Sequence, residues 1–314
     1  PKHIEVQILG DEHGNIVHLY ERDCSLQRRF QKVVEFTPAF SLPPEVKQSI
    51  LDDSLKLAKH VNYNNAGTLE FLVDRGGNHY FIEMNPRIQV EHTITEMCTG
   101  IDLVRSQILV AEGYELSDEM IGIKSQEDIK QNGYAIQCRI TTEDPSNNFA
   151  PDTGKITSYF SPGGFGVRLD GATSGVGSVI SPYYDSLLVK ITCWDNTFKN
   201  ACKKTLRAIQ EIRISGVKTN IGFISNILTN PTFIEGKCHT KFIDETPELF
   251  NLDNGEDKST KMLKYIATKT LAESGHHKRY DEIRMPELTG NKPDGLKQLL
   301  DSKGPKAVAD WVKD

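Results

Sequence analysis

Ile4, Val6 and Ile8 alternate with His3, Glu5 and Gln7 at the start of the chain, a period of two that predicts a strand with one apolar and one polar face. Asp11-Glu12-His13-Gly14-Asn15 turns the chain into Ile16-Val17-His18-Leu19-Tyr20-Glu21-Arg22, which makes the two runs an antiparallel hairpin. Its polar face could bind a ligand; the simpler reading is a face turned to water. Pro43-Pro44 then opens a helix in which Val46, Ile50, Leu51, Leu55, Ala58 and Val61 recur at helical spacing. A second hairpin is predicted where Gly67-Thr68-Leu69-Glu70-Phe71-Leu72-Val73 and His79-Tyr80-Phe81-Ile82-Glu83-Met84 flank Asp74-Arg75-Gly76-Gly77-Asn78. A turn centred on Gly76-Gly77 sets Glu70 opposite Glu83.

From Ile101 to Gly113 the spacing of Leu103, Val104, Gln107, Ile108 and Ala111 predicts another helix, closed by glycine. Both helices read as covers on the sheet. Residues 117–132 are polar and unpatterned and read as a crossing between domains. Strands are predicted over 133–140, 154–160, 164–169 and 187–194, with Pro- and Gly-rich turns between them. Thr197 caps a helix bearing Phe198, Ala201, Cys202, Leu206, Ile209 and Ile212, and a shorter helix covers 220–229. Beyond 250 the chain turns polar. A helix over 259–272, a linker over 274–293 and a helical pair at 296–300 and 307–312 are expected there, with few local apolar partners. The pattern is α+β throughout.

A length of 314 residues favours two domains. With 37 basic against 43 acidic residues the net charge is −6, a poor match to nucleic acid. No apolar run is long enough to span a bilayer and no signal segment opens the chain. Cys24, Cys98, Cys138, Cys193, Cys202 and Cys238 form no C-x-x-C pair, which points to reduced thiols and a cytoplasmic location. The abrupt strand-like opening reads as a fragment, and the tail as the start of a further region.

Glu70 and Glu83 opposite one another would repel unless a cation lies between them. Asn85 shares their face by period two, and two carboxylates with an amide oxygen suit Mg²⁺ or Mn²⁺. The alternative is a hairpin face whose glutamates project into water. If the chain stays extended, Arg87, Gln89 and Glu91 continue that face, with Ile82, Met84, Ile88 and Val90 as its apolar opposite. An arginine grips a small planar oxyanion, and a neighbouring carboxylate can take its proton. Arg22, Arg28, Arg29 and Lys32 form a basic run fit for a polyphosphate, or simply a solvated charge run.

Longer motifs carry a resemblance. Glu-Arg-Asp-Cys-Ser-x-Gln-Arg-Arg at 21–29, Gly-Thr-x-Glu-Phe at 67–71, Phe-Ile-Glu-Met-Asn-Pro-Arg-Ile-Gln-Val-Glu-His at 81–92 and Gly-Gly-Phe-Gly-Val-Arg at 163–168 resemble the biotin carboxylase family, of the ATP-grasp fold. The match runs from residue 1 to about 247. The tail from Leu299 to Val312 is similar to the segment entering the carboxyltransferase region of pyruvate-type carboxylases.

The resemblance implies the C-terminal part of an ATP-grasp domain over 1–116, an antiparallel sheet with covering helices. It implies the family's C-terminal β-rich domain over 133–250, a linker with one helix over 251–293 and a carboxyltransferase-leading segment over 294–314. It further implies ATP- and bicarbonate-dependent carboxylation of biotin through carboxyphosphate. The partners it implies are bicarbonate, a biotinylated carrier domain, a carboxyltransferase domain and a second copy of the chain in a homo-oligomer. Alternatives are a subunit of an acyl-CoA carboxylase and a non-catalytic oligomerisation fragment.

Residue by residue, Glu70 and Glu83 would bind the metal with Asn85 beside it, and Lys32, Arg87, Gln89 and the Val90 amide would hold bicarbonate. Glu91 would be the general base and Arg168 would stabilise the biotin enolate. His3, Gln27, Leu72 and Ile82 would line the ATP pocket. Phe30 stands where the family usually has histidine. The family's N-terminal nucleotide-binding half and its glycine-rich lid would precede residue 1, so this stretch alone is expected not to turn over.

Overall fold

Eight strands build one antiparallel sheet. In the computed structural model, residues 1–171 and 175–252 are described, together with 262, 263 and 266. The strands are β1 (Lys2–Gly10), β2 (Ile16–Arg28), β3 (Gln31–Thr37), β4 (Asn65–Val73), β5 (His79–Asn85), β6 (Tyr134–Thr141), β7 (Val167–Gly171) and β8 (Leu187–Asp195). They lie in the order β7-β8-β6-β3-β2-β1-β4-β5. Every neighbouring pair is antiparallel. The β3–β6 pairing joins the early and late strands, and Pro1–Leu252 forms one compact unit. Of the helix expected at 259–272 only residues 262, 263 and 266 are described, each of them helical, and the helices expected at 296–300 and 307–312 lie outside the described residues.

The helices follow the apolar pattern. Helix α1 (Pro44–His60) starts after Pro43 and buries Ile50, Leu51 and Ala58 against Ile4, Val6, Ile8, Leu69 and Phe71. Helix α2 (His92–Thr99) packs against β2, β3, β6 and β8. Helix α3 (Leu103–Ala111) follows Asp102, whose carboxylate accepts from the Arg105 N–H. Helix α4 (Phe198–Glu211) begins at Thr197, whose hydroxyl oxygen accepts from the Asn200 N–H at 3.3 Å. Its apolar stripe and that of α5 (Ile221–Thr229) meet Val34, Phe36, Ile136, Cys138, Ile191 and Cys193 in the larger core.

Several expectations need correction. The polar face of the first hairpin is not solvated: Glu5 and Gln7 are fully buried and His3 nearly so. Residues 117–132, expected as an unpatterned crossing between domains, are packed: Ile123 and Ile129 join Leu116, Leu9 and Leu19 in a core of their own. Helix α3 turns Leu103, Ser106, Leu109 and Val110 inward, leaving Val104 and Ile108 exposed. Residues 154–160 form two short strands, Gly154–Lys155 and Ser158–Phe160, each paired elsewhere.

Candidate active site on the polar face

Glu83 pairs across the ladder with Glu70, Glu70 with Glu5, and Glu5 with Arg22. A second row runs Glu35, Gln137, Thr192 and Arg168. Cross-strand neighbours share a face, so the expected opposition of Glu70 and Glu83 belongs to a row of polar residues across the sheet. The register of β4 and β5 shifts between Glu70 and Phe71, where Ile82 is the extra residue. Phe81 and Met84 therefore both face apolar partners although three residues apart, and Ile82 is exposed rather than part of an apolar reverse face.

The chain leaves the sheet after Asn85 instead of continuing extended, yet the next residues still converge on it. Gln89 donates to Glu70 Oε1 at 2.7 Å and accepts from Arg22 Nη2 at 3.1 Å. Asn85 Nδ2 reaches Glu70 Oε1 at 2.9 Å and Glu83 Oε1 at 3.1 Å, and Arg87 donates to Asn85 Oδ1 at 3.3 Å. Glu91 is buried where the chain enters α2.

The basic run is not a solvated one at its ends. Arg22 is fully buried, held by Glu5, Gln7, Thr68, Gln89 and Thr95. Lys32 Nζ bonds Glu5, lies 2.7 Å from Glu91 Oε1 and 3.3 Å from Glu70 Oε1. The other Glu91 oxygen accepts from Arg139 at 3.0 Å, and Arg139 Nε donates to Glu35 at 2.6 Å. No buried side-chain nitrogen or oxygen among the described residues lacks a partner.

These contacts set the charges. Burial alone would push Glu91 up, but Lys32, Arg139 and Arg22 outweigh it and hold its carboxyl well below the usual range. Burial likewise works against ionised Glu70, yet the His3 hydrogen bond and Lys32 bring it down to about 2. Glu5 goes the other way: burial, reinforced by Glu91 against Lys32 and Arg22, raises it to about 7. Lys32 stays protonated in spite of burial, chiefly through Glu5.

Gln27 donates to His3 Nδ1 at 2.6 Å, so His3 carries its proton on Nε2 and donates to Glu70 Oε2 at 2.7 Å. Leu72 pairs with His3 on one side and Tyr80 on the other. The strand β7 brings Arg168 to the far edge. Its Nε and Nη2 bind Asp170, both at 2.9 Å, and its Nη1 binds Glu96 of α2 at 2.5 Å. Glu5, Glu35, Arg139 and Glu96 were not singled out as site residues from the sequence, and Arg22 entered only as part of the basic run. The only signal for Arg139 was its alternation with Gln137, which gives a face and no partner.

Glu70 and Glu83 fit a divalent cation. Glu70 Oε1 accepts from Lys32, Asn85 and Gln89, so a cation there would take the place of one of these donors. The Asn85 amide lies between the carboxylates and supplies an oxygen when turned over.

Known proteins agree with this architecture. Residues 1–119 match the family described as carbamoyl-phosphate synthase L chain, ATP binding domain, and residues 137–245 match the biotin carboxylase C-terminal domain. A pyruvate carboxylase of Staphylococcus aureus is 54% identical over 321 residues, covering 100% of this chain and 28% of its own length. The chain thus spans under a third of that relative. The biotin carboxylase domain dimer of Hydrogenobacter thermophilus 2-oxoglutarate carboxylase, solved with MgADP, ADP and bicarbonate, superposes with a TM-score of 0.76 at 48% identity. That likeness covers 80% of this chain and 54% of the other. A complete multifunctional pyruvate carboxylase from Rhizobium etli gives a TM-score of 0.81 at 49% identity, over 99% of this chain and 30% of the other.

Proposed function

The chain belongs to the biotin carboxylase family, and on that premise we propose that it supplies one wall of the active site for ATP- and bicarbonate-dependent carboxylation of biotin. That reaction would be the first half-reaction of a pyruvate carboxylase. The observation that carries the reading is the convergence of Lys32 on Glu5, Glu70 and Glu91, with Gln89 bonded to the same Glu70 oxygen.

His3, Gln27, Leu72 and Ile82 would line the ATP pocket. Glu70, Glu83 and Asn85 would hold Mg²⁺ or Mn²⁺, which neutralises charge on the transferring phosphoryl group. Arg87, Gln89 and the Val90 N–H would hold bicarbonate. Lys32 would then turn part of its hydrogen bonding from Glu91 to the anion. With that tie loosened, Glu91 becomes the stronger base and takes the bicarbonate proton as carboxyphosphate forms. Arg168 would face the ureido oxygen of the biotin substrate, where negative charge develops.

A biotinylated carrier domain, a carboxyltransferase domain and a homo-oligomer are the proposed partners, and a cytoplasmic location is in keeping with six free, buried cysteines. The test is bicarbonate-dependent, biotin-stimulated ATP cleavage by the complete protein before and after Glu91→Gln. A loss of at least about 100-fold is expected; unchanged turnover removes Glu91 as the base. Carboxylation of an acyl-CoA instead of pyruvate by the complete protein would move the assignment to an acyl-CoA carboxylase.

A further inference from the structure

Two backbone carbonyls beside Val90 are held by buried side chains that no step above uses. His92, at the start of α2, donates from Nδ1 to the Gln89 carbonyl at 2.7 Å, and its own backbone N–H reaches that oxygen at 3.3 Å. Lys190, on β8, donates from Nζ to the Val90 carbonyl at 2.9 Å. Both side chains are buried.

A peptide group is planar and trans, so its N–H points away from its C=O. Fixing the Gln89 oxygen therefore aims the Val90 N–H, and fixing the Val90 oxygen sets the next peptide plane. Among the described residues the Val90 N–H meets no acceptor. Val90 is partly exposed between buried Gln89 and Glu91. A donor held this way needs no reorganisation when an anion arrives.

We propose that His92 and Lys190 are positioning residues that clamp the peptide groups on both sides of Val90 and so present its N–H as a rigid donor to bicarbonate. The inference rests on reading Arg87, Gln89 and Val90 as the bicarbonate site. A carbonyl only accepts, so His92 carries its proton on Nδ1. Its Nε2 lies 3.7 Å from Glu96, the carboxylate that also holds Arg168. One turn of α2 thus orients groups at both ends of the site.

The test is steady-state kinetics of biotin-stimulated ATP cleavage by the complete carboxylase carrying this chain. In His92→Ala and Lys190→Met the KM for bicarbonate should rise about 10- to 100-fold while the KM for ATP moves less than about twofold. His92→Asn, whose amide N–H stands near the position of Nδ1–H, should bring the bicarbonate KM back to within about threefold of wild type. His92→Gln, whose amide reaches the Nε2 position, should not. Arg87→Ala separates the two levels of the argument. If it leaves the bicarbonate KM at the wild-type value, the bicarbonate reading itself fails. If it raises that KM while Lys190→Met matches wild type and the Asn and Gln variants behave alike, the clamp is overturned. Should His92→Ala not fold, the Asn–Gln comparison and Lys190→Met decide the matter.

Discussion

Lys32 Nζ stands 2.7 Å from Glu91 Oε1, and the same ammonium also bonds Glu5 and lies 3.3 Å from Glu70. One cation thus keeps three carboxylates compatible at the centre of the sheet. Lys32→Met should abolish ATP cleavage and destabilise the protein by about 3–5 kcal/mol, the cost of breaking a buried ion pair from one side. Without Lys32 the folded-state carboxylates bind protons more readily than in the unfolded chain. The deficit, measured by urea unfolding, should therefore shrink from pH 8 to pH 5; a pH-independent deficit would contradict this role.

Arg139 bridges Glu91 and the fully buried Glu35. Arg139→Met should cost about 3–5 kcal/mol, and Arg139→Met with Glu35→Gln should recover a sizeable part of it, because the penalty comes from a stranded charge. Additive losses in chemical denaturation would show that the pair is not coupled.

Arg168 is partly exposed and held by Glu96 and Asp170. Arg168→Met should lower biotin-stimulated ATP cleavage by about 100-fold or more, while stability changes by no more than about 1 kcal/mol. A large fall in the unfolding midpoint would instead mark Arg168 as a structural brace.

His18 lies outside the site and is buried, which lowers its pKa to about 4 despite the nearby charge of Asp52. The folded state therefore resists protonating a group that the unfolded chain protonates near its ordinary value of 6.5. The contribution of neutral His18 is present above that value and is lost as pH falls toward about 4. His18→Gln should flatten the fall in thermal midpoint across this window. A parallel fall in wild type and variant would assign the acid sensitivity to other groups.

Phe30 is 95% exposed and, like Arg29, takes a left-handed conformation in the two-residue turn joining β2 to β3. Such turns favour glycine and asparagine. Phe30→Gly should stabilise the protein by about 1 kcal/mol, read as a raised denaturation midpoint. A lowered midpoint would mean that the phenyl ring makes contacts worth more than the backbone strain.

Much of the local structure was readable from residue order, because it depends on near neighbours. Period-two spacing put Glu5 and Gln7 on one face of β1, the Gly-Gly turn marked a hairpin, although its register alone would set Glu70 opposite Ile82 and the bulge brings Glu83 there instead, and Thr197 marked the start of α4. The long motifs carried the family. Spacing says which residues share a face and nothing of what lies against that face. That is why Glu5 and Arg22 read as water-facing, although their charges are matched in the interior by Lys32, Gln7 and each other.

The partners of Arg139, the bulge that turns Ile82 outward and the pairing of Glu35 with Gln137 across 102 positions belong to the assembled sheet. Each depends on strands far apart in the chain meeting in one register, a choice made by the packing of whole faces after long loops have closed. Glu70 and Glu83 were legible as carboxylates of one hairpin; the bulge that sets them opposite and the Lys32 ammonium beside Glu70 were supplied by folding.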